Sequence, residues 1–192
     1  HTFYGSAGAD DGRSIAVDSS GNIHVAGVSS ASWGAPLDPI GGPAGNADIM
    51  VLKLGSDSAF RPLLAESYDE LQPSLSPDGR WLAYVSTETG DREIFVRPFP
   101  DVDQGKWQIS QGGGTDPLWS GDGRELFYRS DGGDAFHVAD MVQGPALAAH
   151  RVVLRAPVGI AFERNLTDRM FERSRDGRRF LINTQGMGDK SG

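Results

Sequence analysis

The sequence predicts an all-β fold, a β-propeller of about four blades of antiparallel strands, on three observations. First, Ser76-Pro77-Asp78-Gly79-Arg80-Trp81-Leu82-Ala83-Tyr84-Val85-Ser86 recurs as Ser120-Gly121-Asp122-Gly123-Arg124-Glu125-Leu126-Phe127-Tyr128-Arg129-Ser130. It recurs again as Ser174-Arg175-Asp176-Gly177-Arg178-Arg179-Phe180-Leu181-Ile182-Asn183-Thr184, with a looser copy at Asp18-Ser19-Ser20-Gly21-Asn22-Ile23-His24-Val25-Ala26-Gly27. Aligned on the turn glycine, the copies lie 58, 44 and 54 residues apart, a period typical of radial β-sheet repeats. Second, 26 glycines and 11 prolines in 192 residues imply many turns between short elements. Third, no segment carries an apolar stripe at helical spacing.

The elements follow in order. Asp11–Asp18 and Ile23–Gly27 read as strands flanking the Ser20-Gly21-Asn22 turn. A Gly/Pro-rich excursion from Ser29 to Ala47 precedes the alternating strand Asp48–Leu54. In the next copy Pro73–Ser76 is a short extended piece and Pro77-Asp78-Gly79 a tight turn. Proline there fixes φ, aspartate bonds its own backbone and glycine takes positive φ. Trp81–Val85 is a buried strand, and Glu93–Arg97 alternates as a half-buried one should. Lys106–Ser110 fits an outer strand. The third copy repeats the order with Asp116–Ser120, Glu125–Arg129, Ala135–Ala139 and Arg151–Leu154. The last copy has Arg169–Ser174, the Asp176-Gly177 turn and Arg179–Asn183, after which Thr184–Gly192 is a Gly-rich tail with no strand signal. The blades expected are 1–55, 66–110, 111–155 and an incomplete 156–192.

Composition narrows the function. There are no cysteines, which excludes disulfides, thiolate metal sites and cysteine nucleophiles. No apolar run is long enough to span a membrane. The chain begins at His1, so a removed leader or a segment of a longer protein is expected. Net charge is −8, distributed as −4 over residues 1–66, −8 over 67–150 and +4 over 151–192. An acidic body argues against general nucleic-acid affinity.

Two repeat families are similar to this sequence. Gln72–Trp81, Glu93–Pro100 and Gly113–Ser120 carry a resemblance to the TolB-type, WD-like "PD" propeller repeat over residues ~68–184. The wording is similar to propellers attached to some bacterial serine/threonine kinases and to those gating prolyl-oligopeptidase-like peptidases. Thr2-Phe3-Tyr4-Gly5, Ser14–Asn22 and Asp48–Leu54 resemble the bacterial SBBP β-propeller repeat at ~2–54. These resemblances imply a propeller and an extracytoplasmic place, periplasmic or secreted. They imply little chemistry, because propellers host many functions. Such families usually close with more blades, so the chain is a fragment, a hybrid or a ring completed by another copy.

Candidate sites are few. Asp78, Asp122 and Asp176 read as turn chemistry rather than metal ligands. Asp10-Asp11 with Asp18, and Asp101-Val102-Asp103, are thin for calcium, so no metal or cofactor is assigned. His1, His24, His137 and His150 share no metal-ligand spacing, and His24 and His137 read as packed strand residues. No Gly-x-Ser-x-Gly or His-Glu-x-x-His motif exists. The Gly186–Ser191 tail lacks the glycines of a phosphate loop, and Asn165-Leu166-Thr167 is a chance-level glycosylation triplet. The strand aromatics Trp81, Tyr84, Phe95, Phe99, Trp107, Trp119, Phe127 and Tyr128 read as packing between blades. Trp33, in the long excursion, is either a folded lid or a partner contact. The basic end offers Arg173, Arg175, Arg178 and Arg179 to an acidic partner, although solvated or blade-paired arginines are the plainer reading.

The sequence therefore predicts a non-catalytic scaffold or binding module for a protein, a peptide or another copy of itself. The alternative is the propeller of a larger bacterial enzyme, a kinase sensor or a peptidase. No nucleic acid and no membrane span are expected. Thr2-Phe3-Tyr4 is strand-like and is expected to complete the last blade, within one chain or between chains.

Overall fold

The computed structural model describes residues 10–17, 22–29, 47–53, 55, 61–155, 160–162, 171–173, 180–182 and 184–186. Three four-stranded antiparallel meanders dominate it, as all-β blades require. The first contains β1 (Asp10–Val17), β2 (Ile23–Ser29), β3 (Asp48–Lys53) and β4 (Arg61–Leu64), paired in sequence order. The second contains β5 (Glu70–Leu75), β6 (Trp81–Ser86), β7 (Glu93–Pro98) and β8 (Trp107–Gln108), and the third β9 (Thr115–Trp119), β10 (Glu125–Arg129), β11 (Ala135–Asp140) and β12 (Ala149–Arg155). Beyond these, β13 (Ile160–Phe162) pairs with β16 (Thr184–Gly186), and β14 (Phe171–Arg173) with β15 (Phe180–Ile182). Only two three-residue 3-10 turns, Val102–Gln104 and Pro145–Leu147, are helical among the described residues.

The sheets stack face to face about their first strands, β5 lying against both β1 and β9. One apolar layer joins Ile49, Val51 and Leu64 of the first sheet to Leu75, Leu82, Tyr84 and Phe95 of the second, with Phe99 just beyond β7. The other joins Ala83, Val85, Ile94 and Val96 of the second to Trp119, Leu126, Tyr128 and Ala139 of the third. Successive residues of β6 thus enter opposite layers, which is why Trp81–Val85 is nearly continuous in apolar character. The same sandwiching corrects the reading of β7. Glu93–Arg97 alternates in sequence but is buried on both faces, Glu93 and Arg97 included.

The repeated turn is built as its residues dictate. Gly79 and Gly123 take φ of 67° and 70°, and their amides donate to the carbonyls of Ser76 and Ser120 at 2.9 Å. The Ser76 hydroxyl donates to Asp78 Oδ1 at 2.6 Å and accepts the Trp81 amide at 3.0 Å. Ser120 does the same with Asp122 at 2.6 Å and the Glu125 amide at 2.9 Å. The expected turn chemistry of Asp78 and Asp122 is therefore what the structure shows; Asp176 lies outside the described residues.

Four strands depart from expectation. The outer strand read at Lys106–Ser110 is reduced to Trp107–Gln108. The segment read as a tail without a strand contains β16, held by main-chain pairing of Thr184, Gln185 and Gly186 to Phe162, Ala161 and Ile160. Neither β13 nor β4 announced itself: β4 is four residues long and contains Pro62, so its alternation is too brief to read. Thr2-Phe3-Tyr4, Trp33, Arg175, Arg178 and Arg179 lie outside the described residues, and of Arg173 only the strand position in β14 is described.

Candidate functional site

The inner strands carry a recurring irregularity. β5 and β6 shift register between Leu71 and Ser74, β10 and β9 between Phe127 and Arg129, and β1 and β2 between Gly12 and Ser14. In the second and third sheets the residue at the shift is left-handed: Gln72 has φ 50° and Asp116 φ 57°. Each precedes a proline, Pro73 and Pro117, a setting that ordinarily favours an extended residue. A side chain in this conformation costs on the order of 1–2 kcal/mol.

The bonds made there explain why it persists. Gln72 Nε2 donates to Asp116 Oδ1 at 2.8 Å, and the Asp116 amide donates to Gln72 Oε1 at 2.8 Å. The second Asp116 oxygen accepts Arg129 Nε at 2.8 Å and lies 2.8 Å from Arg129 Nη2. The Thr115 hydroxyl adds a longer bond to it at 3.4 Å. Both charged side chains are buried, Arg129 at 2% and Asp116 at 4% side-chain exposure. Burial pushes the Asp116 carboxyl upward, against the pull of the Arg129 guanidinium and the Gln72 amide. With both oxygens engaged by donors, Asp116 ties together two neighbouring inner strands.

A second polar cluster lies where the first and second sheets meet. Arg97 Nε donates to the Tyr84 hydroxyl at 2.8 Å, and its guanidinium pairs with Glu66. Glu70 is buried here and accepts a 3.4 Å bond from the Glu66 amide. Burial raises its pKa to about 7 against the hydrogen bond from the Glu66 amide, with the Glu66 and Asp48 charges adding to the rise and Arg97 opposing it. A third cluster closes the next junction. Buried Glu93 accepts the Ser110 hydroxyl and, at 2.9 Å, the Gly113 amide, while Ser110 Oγ accepts the Ile94 amide at 2.7 Å. Trp119 Nε1 donates to the Ser74 carbonyl at 3.0 Å, so the aromatics expected between blades also carry a polar link.

His24 and His137 pack on their strands, as read from the sequence, and His1 lies outside the described residues. His24 is buried edge-on to Phe99 at 5.0 Å, and His137 stacks on Tyr128 at 5.0 Å. Burial lowers the pKa of both His137 and His150. Among the described residues no group of three or more His, Asp or Glu is placed to hold a metal ion. The expected contact residues Trp33, Arg175, Arg178 and Arg179 are not brought into any described site, and nothing is described of the Arg173 side chain. Sequence reading missed Gln72, Asp116 and Arg129. The signal that would have found the first two is a polar residue before proline repeated at a separation of 44, the same interval as the turn glycines.

Comparison with known proteins agrees with this architecture. The β-propeller repeat family SBBP matches residues 2–32. No curated protein matches the sequence. TolB from Acinetobacter baumannii is similar in structure with a TM-score of 0.55 and 15% identity, over 97% of this chain and 42% of that one. A puromycin-hydrolyzing peptidase of Mycobacterium tuberculosis is similar with a TM-score of 0.58 and 20% identity, over 91% of this chain and 28% of that one. The chain thus spans less than half the length of either structure, and the likeness is one of fold: a partial β-propeller.

Proposed function

We propose that the chain is a non-catalytic propeller module that holds a protein or peptide, at the loops of one end of its sheets or along an exposed sheet edge. The observation that carries this reading is the saturation of the inner-strand cluster. Gln72, Asp116 and Arg129 spend their polar groups on one another and make a stiff frame, which suits presentation of a surface better than proton transfer. The acidic body favours a polypeptide over nucleic acid as the partner. In this reading residues 1–55, 66–110, 111–155 and 156–192 are successive blades, further copies of the chain are admissible partners, and the module works outside the cytoplasm. Trp33, Arg173, Arg175, Arg178 and Arg179 are its proposed contact residues.

One observation favours a second reading, the propeller of a larger enzyme: the peptidase is matched over only 28% of its length. Titrating the purified chain with a peptide library, alongside panels of amide, ester and glycoside substrates, tests the module, whereas a kinase or hydrolase sequence in the reading frame beside this segment would decide for the larger enzyme. Saturable binding without turnover supports the module. Turnover that co-purifies at constant specific activity overturns it.

A further inference from the structure

Resting on the polypeptide-binding reading, the outer edges of the three large sheets point to where a partner lies. An edge strand offers unpaired main-chain groups to any passing chain, and natural sheets blunt it by shortening, proline or cover. The first sheet ends in four-residue β4, which contains Pro62. The second ends in β8, two residues long. The third ends in β12, seven residues without proline and exposed at every position. A register shift at Val153 twists β12 but does not shorten it. Val152, Val153 and Leu154 are 41%, 38% and 43% exposed, three of the four large exposed apolar side chains among the described residues.

We propose that β12 is a strand-addition site for an extended acidic peptide segment of a partner protein. The charge of the strand selects the occupant. Ala149–Arg155 contains His150, Arg151 and Arg155 and no acid. The two arginines meet Glu125 at 3.0 Å and Asp134 at 3.9 Å, but these ion pairs are open to solvent and worth little, so both cations can be shared with an incoming carboxylate. A second copy offering the same edge would set basic residues beside basic residues, which disfavours pairing. Residues 151–192 carry net positive charge and are a poor occupant for the same reason. An incoming strand would gain main-chain bonds along β12, apolar contact at Val152 and Leu154, and orientation from the flanking arginines.

The test uses the full chain and two synthetic peptides of about ten residues, one alternating glutamate with valine and the other lysine with valine. On saturation with the glutamate peptide, amide exchange in β12 should slow by about tenfold or more, and the lysine peptide should leave it unchanged. Raising salt should weaken binding. The double variant Arg151→Glu, Arg155→Glu, which alters only exposed ion pairs, should melt near the parent and bind the glutamate peptide about tenfold or more weakly. Unprotected β12 amides with binding mapped to the end loops overturn the β12 site and spare the module. Protection in the absence of peptide, with a doubled mass in solution, assigns the edge to a second copy and overturns the proposal. Turnover in the substrate panels overturns the module reading itself.

Discussion

Gln72 and Asp116 occupy equivalent positions on neighbouring inner strands and answer each other twice, side chain to side chain and main chain to side chain, each at 2.8 Å. The pair is bought with two left-handed backbones, at φ 50° and 57°. That combination makes the two contributions separable. Gln72→Ala keeps the unfavourable φ and loses both bonds. Gln72→Gly loses the same bonds but relieves the φ. The glycine variant should therefore be more stable than the alanine variant by about 1 kcal/mol, although glycine ordinarily costs more than alanine on folding. Urea midpoints of the two variants check this; alanine equal or superior to glycine would show that the left-handed turn is not strained.

Arg129 is the only cation bonded to Asp116 among the described residues, and both are buried. Arg129→Met should cost about 3–5 kcal/mol, because it strands a carboxylate away from water. Adding Asp116→Asn to that variant removes the stranded charge and should restore part of the loss, despite being a second change at the site. A double-mutant cycle on chemical denaturation reads the coupling directly. Purely additive costs would mean that the ion pair contributes nothing beyond packing.

Glu70 predicts a dependence on pH. Its folded pKa is raised to about 7 by burial, with Glu66, Asp48 and Arg97 as the charges around it. A carboxyl raised in this way binds more protons folded than unfolded, so its contribution to stability falls as pH rises from the ordinary range near 4.5 through 7. Glu70→Gln, which imitates the protonated form, should be nearly neutral at about pH 4.5 and should stabilise by about 1–3 kcal/mol at pH 8. His137 and His150 have lowered values and act in the opposite direction, since neutral imidazoles lose stability as pH falls below their unfolded pKa. Both proteins share them, so the difference between parent and variant isolates Glu70. An equal gain at both pH values would place its cause elsewhere.

What the sequence revealed and what it hid follow from the range of the forces involved. The Pro77-Asp78-Gly79 turn is legible because its chemistry closes within a few residues. The burial of Trp81–Val85 is legible because apolar runs declare themselves. β7 differs from the sequence reading because Glu93 and Arg97 read as solvent-facing, whereas each is hydrogen-bonded by groups distant in sequence: Glu93 by the Ser110 hydroxyl and the Gly113 amide, Arg97 to the Tyr84 hydroxyl and, as an ion pair, to Glu66. Gln72 and Asp116 were hidden for the same reason. An X-Pro dipeptide reads as extended, and only the partner 44 residues away stabilises the left-handed alternative. β16 is not legible because Thr184-Gln185-Gly186 has only Thr184 as a strand-favouring residue and is held as a strand by its pairing with Ile160–Phe162.

The serine that opens each turn is the most local of these devices and gives the cleanest prediction. Ser76 and Ser120 each donate to an aspartate two residues on and accept the amide five residues on. Ser130 makes a variant of the same turn, donating to Asp134 at 2.6 Å and accepting the Ala135 amide at 3.0 Å. Serine to alanine at Ser76 or Ser120 leaves a main-chain amide at the strand start without its acceptor and should cost about 1 kcal/mol. The two turns share no hydrogen-bond partner, so the costs should add to within a few tenths of a kcal/mol. The aspartates report the same loss independently. The Ser120 hydroxyl, with the Arg124 amide, holds the Asp122 carboxyl below its usual range, and the stability this lends is present above the unfolded pKa and lost as pH falls through the folded one. In Ser120→Ala the Asp122 carboxyl should titrate closer to an ordinary aspartate by NMR, with Asp78 unmoved. A shift at both aspartates would mean that the variant disturbs the sheets rather than the turn.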